Sequence, residues 1–334
     1  MAKLEDVAKR AGVSTATVSK VLSNTPYFTE STRQRVMRAV EELGYVPNLA
    51  ARALAAGKTS IIAVVFPHVY DGVFQDPHTL HILQGIEAEC TQRGYNILLS
   101  TPRLTPDGVD EHYLRLIQSG YIDGIIALDN VPIYSVLEPI RSKSIPVVNL
   151  GTHPSEHYVH TNDYSGGFQL MQHLLELGHR AIGIISVPND LNLSANHRME
   201  GLRAAAQAAG VDFDALPIAE GDFSITSGAA CADLLLQQFP TLTAFVCLND
   251  RMAMGAVQLV HRIGRRVPDD ISVVGYDDIP MAAVFDPPLT TIDAHAPTRG
   301  RDATRMLFDV LNGKFPDPVV YPVDLIVRES STHT

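Results

Sequence analysis

Apolar residues at Leu4, Val7 and Ala8 recur at helical spacing, and Gly12 then supplies a position tolerant of a left-handed bend. Ser14 is placed to cap a second helix, in which Val18, Val21 and Leu22 turn inward. That leaves Ser14, Thr15, Ala16, Thr17, Ser19 and Lys20 on the polar side. A third helix, from about Thr32 to Leu43, has Val36, Ala39, Val40 and Leu43 on its inner face and Arg33, Arg35 and Arg38 outside. Helix, tight turn, helix and a packing helix make a headpiece over residues 1–46. Residues 47–59 read PNLAARALAAGKT, where Pro47 ends the preceding structure, the alanines favour a short helix, and Gly57 stops it. So short a helix is marginal alone and orders on docking, unless the segment is a plain tether.

After Ser60 short buried runs alternate with amphipathic segments: IIAVVF, a helix from Leu80 to Arg93, YNILLS, a helix from Gly108 to Ser119, GIIAL, a helix from Ile133 to Ser142, and PVVNL. A second series follows: AIGIIS, helices near Asn196 to Ala209 and Ile225 to Gln238, AFVCL, a helix near Asp250 to Arg262, and SVVGY. The alternation predicts two parallel sheets flanked by helices, an α/β architecture whose ligand crevices lie at the carboxyl ends of the strands. The terminal LIVRESSTHT carries no heptad pattern that would build a tetramerising coil.

At 334 residues the chain holds two or three folding units, and its hydrophobic content of 46% is that of a globular protein. The net charge of −11 argues against nucleic acid until it is divided along the chain. Residues 1–58 hold nine Lys or Arg against five Asp or Glu, so the surplus is positive in the headpiece and all the net negative charge belongs to the body. Only the headpiece is suited to approach phosphate. Thr15 and Ala16 sit where a recognition helix meets base edges, and Lys20 reaches guanine acceptors or a phosphate. Cys90, Cys231 and Cys247 form no C-x-x-C pair and sit among apolar residues, as buried thiols of a reducing compartment do. The opening MAKLEDVAKR is charged where a signal peptide needs an apolar core, and no apolar run is long enough to span a bilayer. A cytoplasmic protein with no membrane partner is expected.

LEDVAKRAGVSTATVSKVLS followed by TRQRVMRAVEELGYVPNLAARALAAGKT resembles the DNA-binding headpiece and hinge of the LacI/GalR family of transcriptional regulators. The resemblance implies that Thr15, Ala16 and Lys20 read the major groove, and that Asn48, Ala51 and Leu54 belong to a hinge helix in the minor groove. Leu54 would be a wedge between base steps, kinking the DNA. Lys3 stands where the family often has a capping Thr; it touches phosphate but cannot cap, so the first helix is expected to fray at its start. A homodimer on a pseudo-palindromic operator is implied.

The resemblance continues through the body, which looks like the two-lobed periplasmic-binding-protein fold. Its N-lobe would cover about 60–161 and 293–321, and its C-lobe about 162–292 and 322–334, with crossings near Thr161, Ile292 and Pro322. Asp163, Arg198, Phe223, Asn249, Asp250 and Asp277 fall at family motif positions, with effector contact implied chiefly for Arg198, Phe223, Asn249 and Asp277. Asp76 and Pro77 match a family loop, whereas His78 and Thr79 replace its aromatic pair; Tyr70, Phe74 and His78 are candidates to present a ring to a sugar face. Carboxylates and a guanidinium suit vicinal hydroxyls, so a mono- or disaccharide effector is favoured, although the fold also takes purine-type effectors. Plainer roles stand beside these: Asp163 and Asp250 as helix caps, Phe223 as core, Asp277 as a turn residue.

Other chemistries find less support. GKTS at residues 57–60 resembles the end of a P-loop, but Arg52 occupies the place of the required first glycine. No G-x-G-x-x-G follows a strand and no G-x-S-x-G elbow occurs, so no cofactor and no enzyme activity is expected. His153, His157 and His160 lack metal-ligand helical spacing. A soluble sugar receptor predicts a leader and no basic headpiece, and a sugar-acting enzyme fused to a DNA-binding module requires a catalytic constellation. A ligand-responsive repressor is the expectation.

Overall fold

The computed structural model describes residues 2–22, 28–46, 57–67, 73–105, 108–128, 136–141, 145–152, 155–188 and 192–334. Asn48, Ala51, Leu54, Tyr70 and His153 lie outside them, as do residues 133–135 and 142 of the helix expected over 133–142, which is seen as Glu138–Arg141. The chain divides into two compact units, residues 1–59 and 60–334.

In the first unit, helices Leu4–Ala11, Thr15–Leu22 and Glu30–Leu43 enclose Val7, Ala8, Ala11, Val18, Val21, Val36 and Ala39. Gly12 takes φ +65°, and the Val13 N–H turns back to the Ala8 carbonyl at 3.0 Å, which closes the first helix and aims the second. Three expectations change. The first helix is tied at its start, because the Lys3 N–H donates to Asp6 Oδ2 at 2.8 Å; lysine has no acceptor to give, so this is the acidic half of a capping box. The third helix begins at Glu30, since Thr29 Oγ1 accepts from the Thr32 N–H. Leu43, expected inside, is exposed.

The second unit holds two four-stranded parallel sheets. One runs Asn96–Ser100, Ile61–Val65, Gly124–Ala127, Val147–Asn149, with Ile62 opposite both Ile97 and Gly124. Its two faces are both covered: Ile62, Val64, Ile126 and Val148 on one side, Ala63, Val65, Ile125 and Ala127 on the other. Period-2 alternation buried on both sides explains why these strands read as unbroken apolar runs. The other sheet runs Ser272–Val274, Ala244–Cys247, Ile182–Ser186, Ile218–Glu220. Its last strand escaped the sequence reading because Ile218 and Glu220 are exposed and only Ala219 is buried. The three cysteines are buried free thiols.

Near the expected crossings, strand Val159–Thr161 pairs in parallel with Val319–Tyr321, and Thr291–Asp293 pairs antiparallel with Asp324–Ile326. Helix Ala296–Leu311, also missed from sequence, packs on helix Pro77–Gln92, where Gly85 and Gly300 let the backbones touch; a Cβ on either would collide with the partner's carbonyl. The C-terminal tail lies along strand Ser272–Val274: the Val273 N–H donates to the Ser330 carbonyl at 2.8 Å, and His179 links Thr243, Ser272 and Thr332.

Candidate functional site

Helices that follow the carboxyl ends of strands bring Asp163 and Arg198, the loop after strand Ser272–Val274 brings Tyr276 and Asp277, and the starts of two further helices bring His78 and Arg299. Arg198 is the hub. Its Nε donates to Asp163 Oδ1 at 2.9 Å, Nη1 donates to the Leu248 carbonyl at 2.6 Å, and Nη2 is 3.6 Å from Asp277 Oδ1. Its guanidinium carbon lies 3.5 Å from the centroid of the Tyr276 ring. Arg198 reaches this place because Gly167 and Gly201 let helices Asp163–Glu176 and Leu193–Ala208 meet backbone to backbone.

The electrostatics divide the two acids. Burial pushes Asp163 up, but the Arg198 charge and hydrogen bond outweigh it, so its carboxyl ends below the ordinary value. Burial pushes Asp277 well above the carboxylate range, and Arg198 fails to offset it because Asp250 and Asp76 repel its charge. Arg198 itself is raised, Asp163, Tyr276 and Asp277 together overcoming the cost of its burial. Burial, with Arg299 and Arg198 nearby, drives His78 well below its usual value, so its ring is neutral.

Positive φ at Phe223 (+68°), Asp277 (+111°), Asp278 (+48°) and His295 (+50°) concentrates backbone strain in the loops that surround this cluster. Non-glycine residues in that region cost about 1–3 kcal/mol each and persist where the surroundings dictate them.

The remaining site candidates take varied places. Asp76 is buried and caps helix Pro77–Gln92, its Oδ1 accepting from the His78 N–H at 3.1 Å; Thr79 is buried in that first turn. Phe74 is 41% exposed, its ring edge-on to Phe66 at 5.6 Å. Phe223 packs in the core of the second sheet. Asn249 spends its carboxamide locally: Oδ1 accepts from the Met252 N–H, and Nδ2 donates to the Phe223 carbonyl. The caps are therefore Asn162 and Asn249, each one residue before the expected Asp163 and Asp250, which occupy the first helical positions. Asp250 is fully buried, accepting from Thr291 Oγ1 at 2.5 Å and the Ile279 N–H at 2.9 Å, and burial raises it to about 7.

On the headpiece, Lys3, Ser14, Thr15, Ala16 and Lys20 are exposed and Thr17 and Ser19 half-buried. Ser14 has a structural task, since its Oγ accepts from the Thr17 N–H at 3.1 Å and meets Thr17 Oγ1 at 2.9 Å. Among the described residues no group of three metal-ligating side chains comes together; His157 and His160 bond the Pro316 and Thr161 carbonyls.

Residues 3–48 match the profile described as bacterial regulatory proteins, lacI family, and residues 171–331 match the periplasmic binding protein-like domain. The HTH-type transcriptional regulator CelR of Thermobifida fusca is 35% identical over 98% of this chain and 97% of its own length. The chain belongs to the LacI family of bacterial regulatory proteins. The HTH-type transcriptional repressor PurR of Haemophilus influenzae (strain ATCC 51907 / DSM 11121 / KW20 / Rd) is 33% identical over 99% of this chain and 98% of its own. Among solved structures, the transcriptional regulator CelR–cellobiose complex matches with TM-score 0.73 and 32% identity, covering 99% of this chain and 100% of that one. The lac repressor dimer bound to operator and the anti-inducer ONPF matches with TM-score 0.83 and 26% identity over 99% of both chains.

This LacI-family chain is thus a transcriptional regulator with a helix-turn-helix headpiece and an effector-binding domain of periplasmic-binding-protein type. No helix among its described residues is long and apolar enough to cross a membrane. Sequence reasoning missed Tyr276 and Arg299. Tyr276 sits beside the Asp277 that was found, and a bulky aromatic preceding a strand-end acid is the signal for it. Arg299 had none, because the helix that carries it was itself unread.

Proposed function

We propose that this LacI-family regulator is a repressor that binds a pseudo-palindromic operator as a homodimer and responds to a mono- or disaccharide held by Arg198, Asp163 and Asp277. The observation that carries the effector assignment is the buried arrangement in which one guanidinium is held between two carboxyl groups and over a tyrosine ring. Carboxyl oxygens accept from sugar hydroxyls, the guanidinium donates to them, and aromatic rings cover C–H faces. A relative of similar sequence is described in complex with cellobiose, and another solved relative as an operator-bound dimer.

On the headpiece, Thr15, Ala16, Thr17, Ser19 and Lys20 form the major-groove surface, with Lys3 on phosphate. Asn48, Ala51 and Leu54 form the minor-groove hinge of this reading. The effector changes DNA affinity by binding two arrangements of the lobes unequally, so DNA changes effector affinity by the same factor. The gene-regulatory role places the chain in the cytoplasm.

Selection of DNA from a random pool, followed by titration of the selected duplex with and without a saccharide panel, tests the reading. Enrichment of two-fold symmetric sequences and a saccharide-dependent shift in affinity are expected. No enrichment, or affinity indifferent to every saccharide, overturns it.

A further inference from the structure

We propose that the effector of this regulator carries an anionic group, a carboxylate or phosphate on the saccharide, and that Arg299 receives it. The inference rests on the saccharide reading of the site and adds the charge of its ligand.

Arg299 is 6% exposed, on the first turn of helix Ala296–Leu311. Its Nη2 donates to His78 Nε2 at 3.1 Å. Its Nε has no hydrogen-bond partner among the described residues, and no carboxylate among them lies within ion-pair distance of it. The contrast with Arg198 is direct: that guanidinium, equally buried, has Asp163 at 2.9 Å and a backbone carbonyl at 2.6 Å. One buried cation is ion-paired, whereas the other feels Asp163 and Asp277 only across the site, too weakly to offset its burial. Buried charge without a partner is among the costliest arrangements a fold contains, and such groups ordinarily have one.

A further donor in the same cluster lacks an acceptor. Because arginine only donates, His78 Nε2 must accept, which places the ring proton on Nδ1. That nitrogen is 3.5 Å from Asp277 Oδ1 and makes no hydrogen bond. The buried Tyr276 hydroxyl turns to Asp163, an acid already shared by Arg198 and Thr161. Arg299 Nε and His78 Nδ1 are thus two buried donors short of acceptors.

The nearby acids do not fill the deficit. Asp163 is engaged by Arg198 and Thr161, Asp76 caps its helix, and burial favours the protonated form of Asp277. Helices Pro77–Gln92 and Ala296–Leu311 both begin here, and helix N-termini add partial positive charge. A neutral sugar hydroxyl would satisfy a donor yet leave Arg299 without an ion pair. An anionic group does both.

The test is calorimetric titration of the full chain with D-glucuronate, D-glucose 6-phosphate and neutral D-glucose and cellobiose, with acetate and inorganic phosphate as controls, on wild type and Arg299→Leu. One charged saccharide is expected to bind about thirtyfold or more tightly than its neutral counterpart, and Arg299→Leu to erase that preference. Preference for glucuronate identifies a carboxylate, and preference for glucose 6-phosphate a phosphate. The unliganded Arg299→Leu protein is expected to melt no lower than wild type, since a buried charge without an ion pair is removed. Neutral saccharides binding as well as charged ones, or undiminished charged-ligand preference in Arg299→Leu, overturns the inference and leaves the saccharide reading intact. If no saccharide of either class binds and Arg299→Leu melts lower than wild type, both fall.

Discussion

Arg198 and Tyr276 form a stacked pair, the guanidinium carbon 3.5 Å from the ring centroid, in which the arginine is held at the same time by Asp163 and the Leu248 carbonyl. Both residues are buried, and helix Leu193–Ala208 is thereby joined to the loop after strand Ser272–Val274. The site's central ligand group is also a structural tie.

Arg198→Ala is accordingly expected to do two things. It removes the saccharide response of DNA binding while leaving DNA affinity near wild type, and it leaves Asp163 buried without its partner, at a cost of about 3–5 kcal/mol. Chemical denaturation measures the second effect and DNA titration the first. A variant of unchanged stability would show that the pair holds nothing together.

Helix Asp163–Glu176 meets helix Leu193–Ala208 at Gly167, where an added Cβ would strike the Arg198 carbonyl, and at Gly201, where it would strike that of Tyr164. Gly167→Ala must separate the helices and displace Arg198. A loss of about 3 kcal/mol is expected in urea unfolding, together with weakened saccharide binding. Loss of stability with ligand affinity intact would disconnect the helix contact from the site.

Asp250 has a direct consequence for pH. Its carboxyl titrates at about 7 in the folded protein, above the ordinary value of 3.8. The folded state therefore binds the extra proton between those values, and the contribution of this carboxyl to stability falls as pH rises from about 4 to about 7, then levels. Asp277 adds to the same slope; Asp163, lowered by Arg198, acts oppositely at the acid end, and His78, His173 and His179, lowered by burial, act oppositely below their ordinary value of 6.5. In Asp250→Asn the urea midpoint should change less between pH 5 and pH 8 than in wild type, the amide keeping an acceptor for the Ile279 N–H and a donor for Thr291 Oγ1. An identical pH profile would remove Asp250 as its source.

Ser14→Ala is expected to destabilise the headpiece by about 1 kcal/mol even without DNA, because the Thr17 N–H loses its cap. Hydrogen exchange in the full chain reads this as faster exchange at Thr17 and its neighbours. Unchanged exchange would assign Ser14 to DNA contact alone.

The headpiece was legible because its information is local. Val7, Val18 and Val36 mark helical faces by spacing, Gly12 and Ser14 mark the turn and cap, and all lie within a few tens of residues. The strands of both sheets were legible as apolar runs, since burial on two faces leaves no polar alternation. Strand Ile218–Glu220 was not, because an exposed edge carries almost no apolar signal. The one-residue displacement of the caps, from Asp163 and Asp250 to Asn162 and Asn249, arose because adjacent Asn and Asp are equally good caps in isolation.

By itself the sequence determined the family, the positive headpiece on a negative body and the paired α/β series, and it singled out Arg198, Asp163 and Asp277 as candidates. Only the tertiary structure decided what those residues do to one another. It stacked Arg198 on Tyr276, separated the protonation of Asp163 from that of Asp277, and set Arg299 against His78, 221 residues away in the chain, without a carboxylate among the described residues in ion-pair contact with it. Spacing encodes which face of a helix is apolar. Charge compensation depends on which side chains meet across distant segments, and that is fixed only when the segments pack.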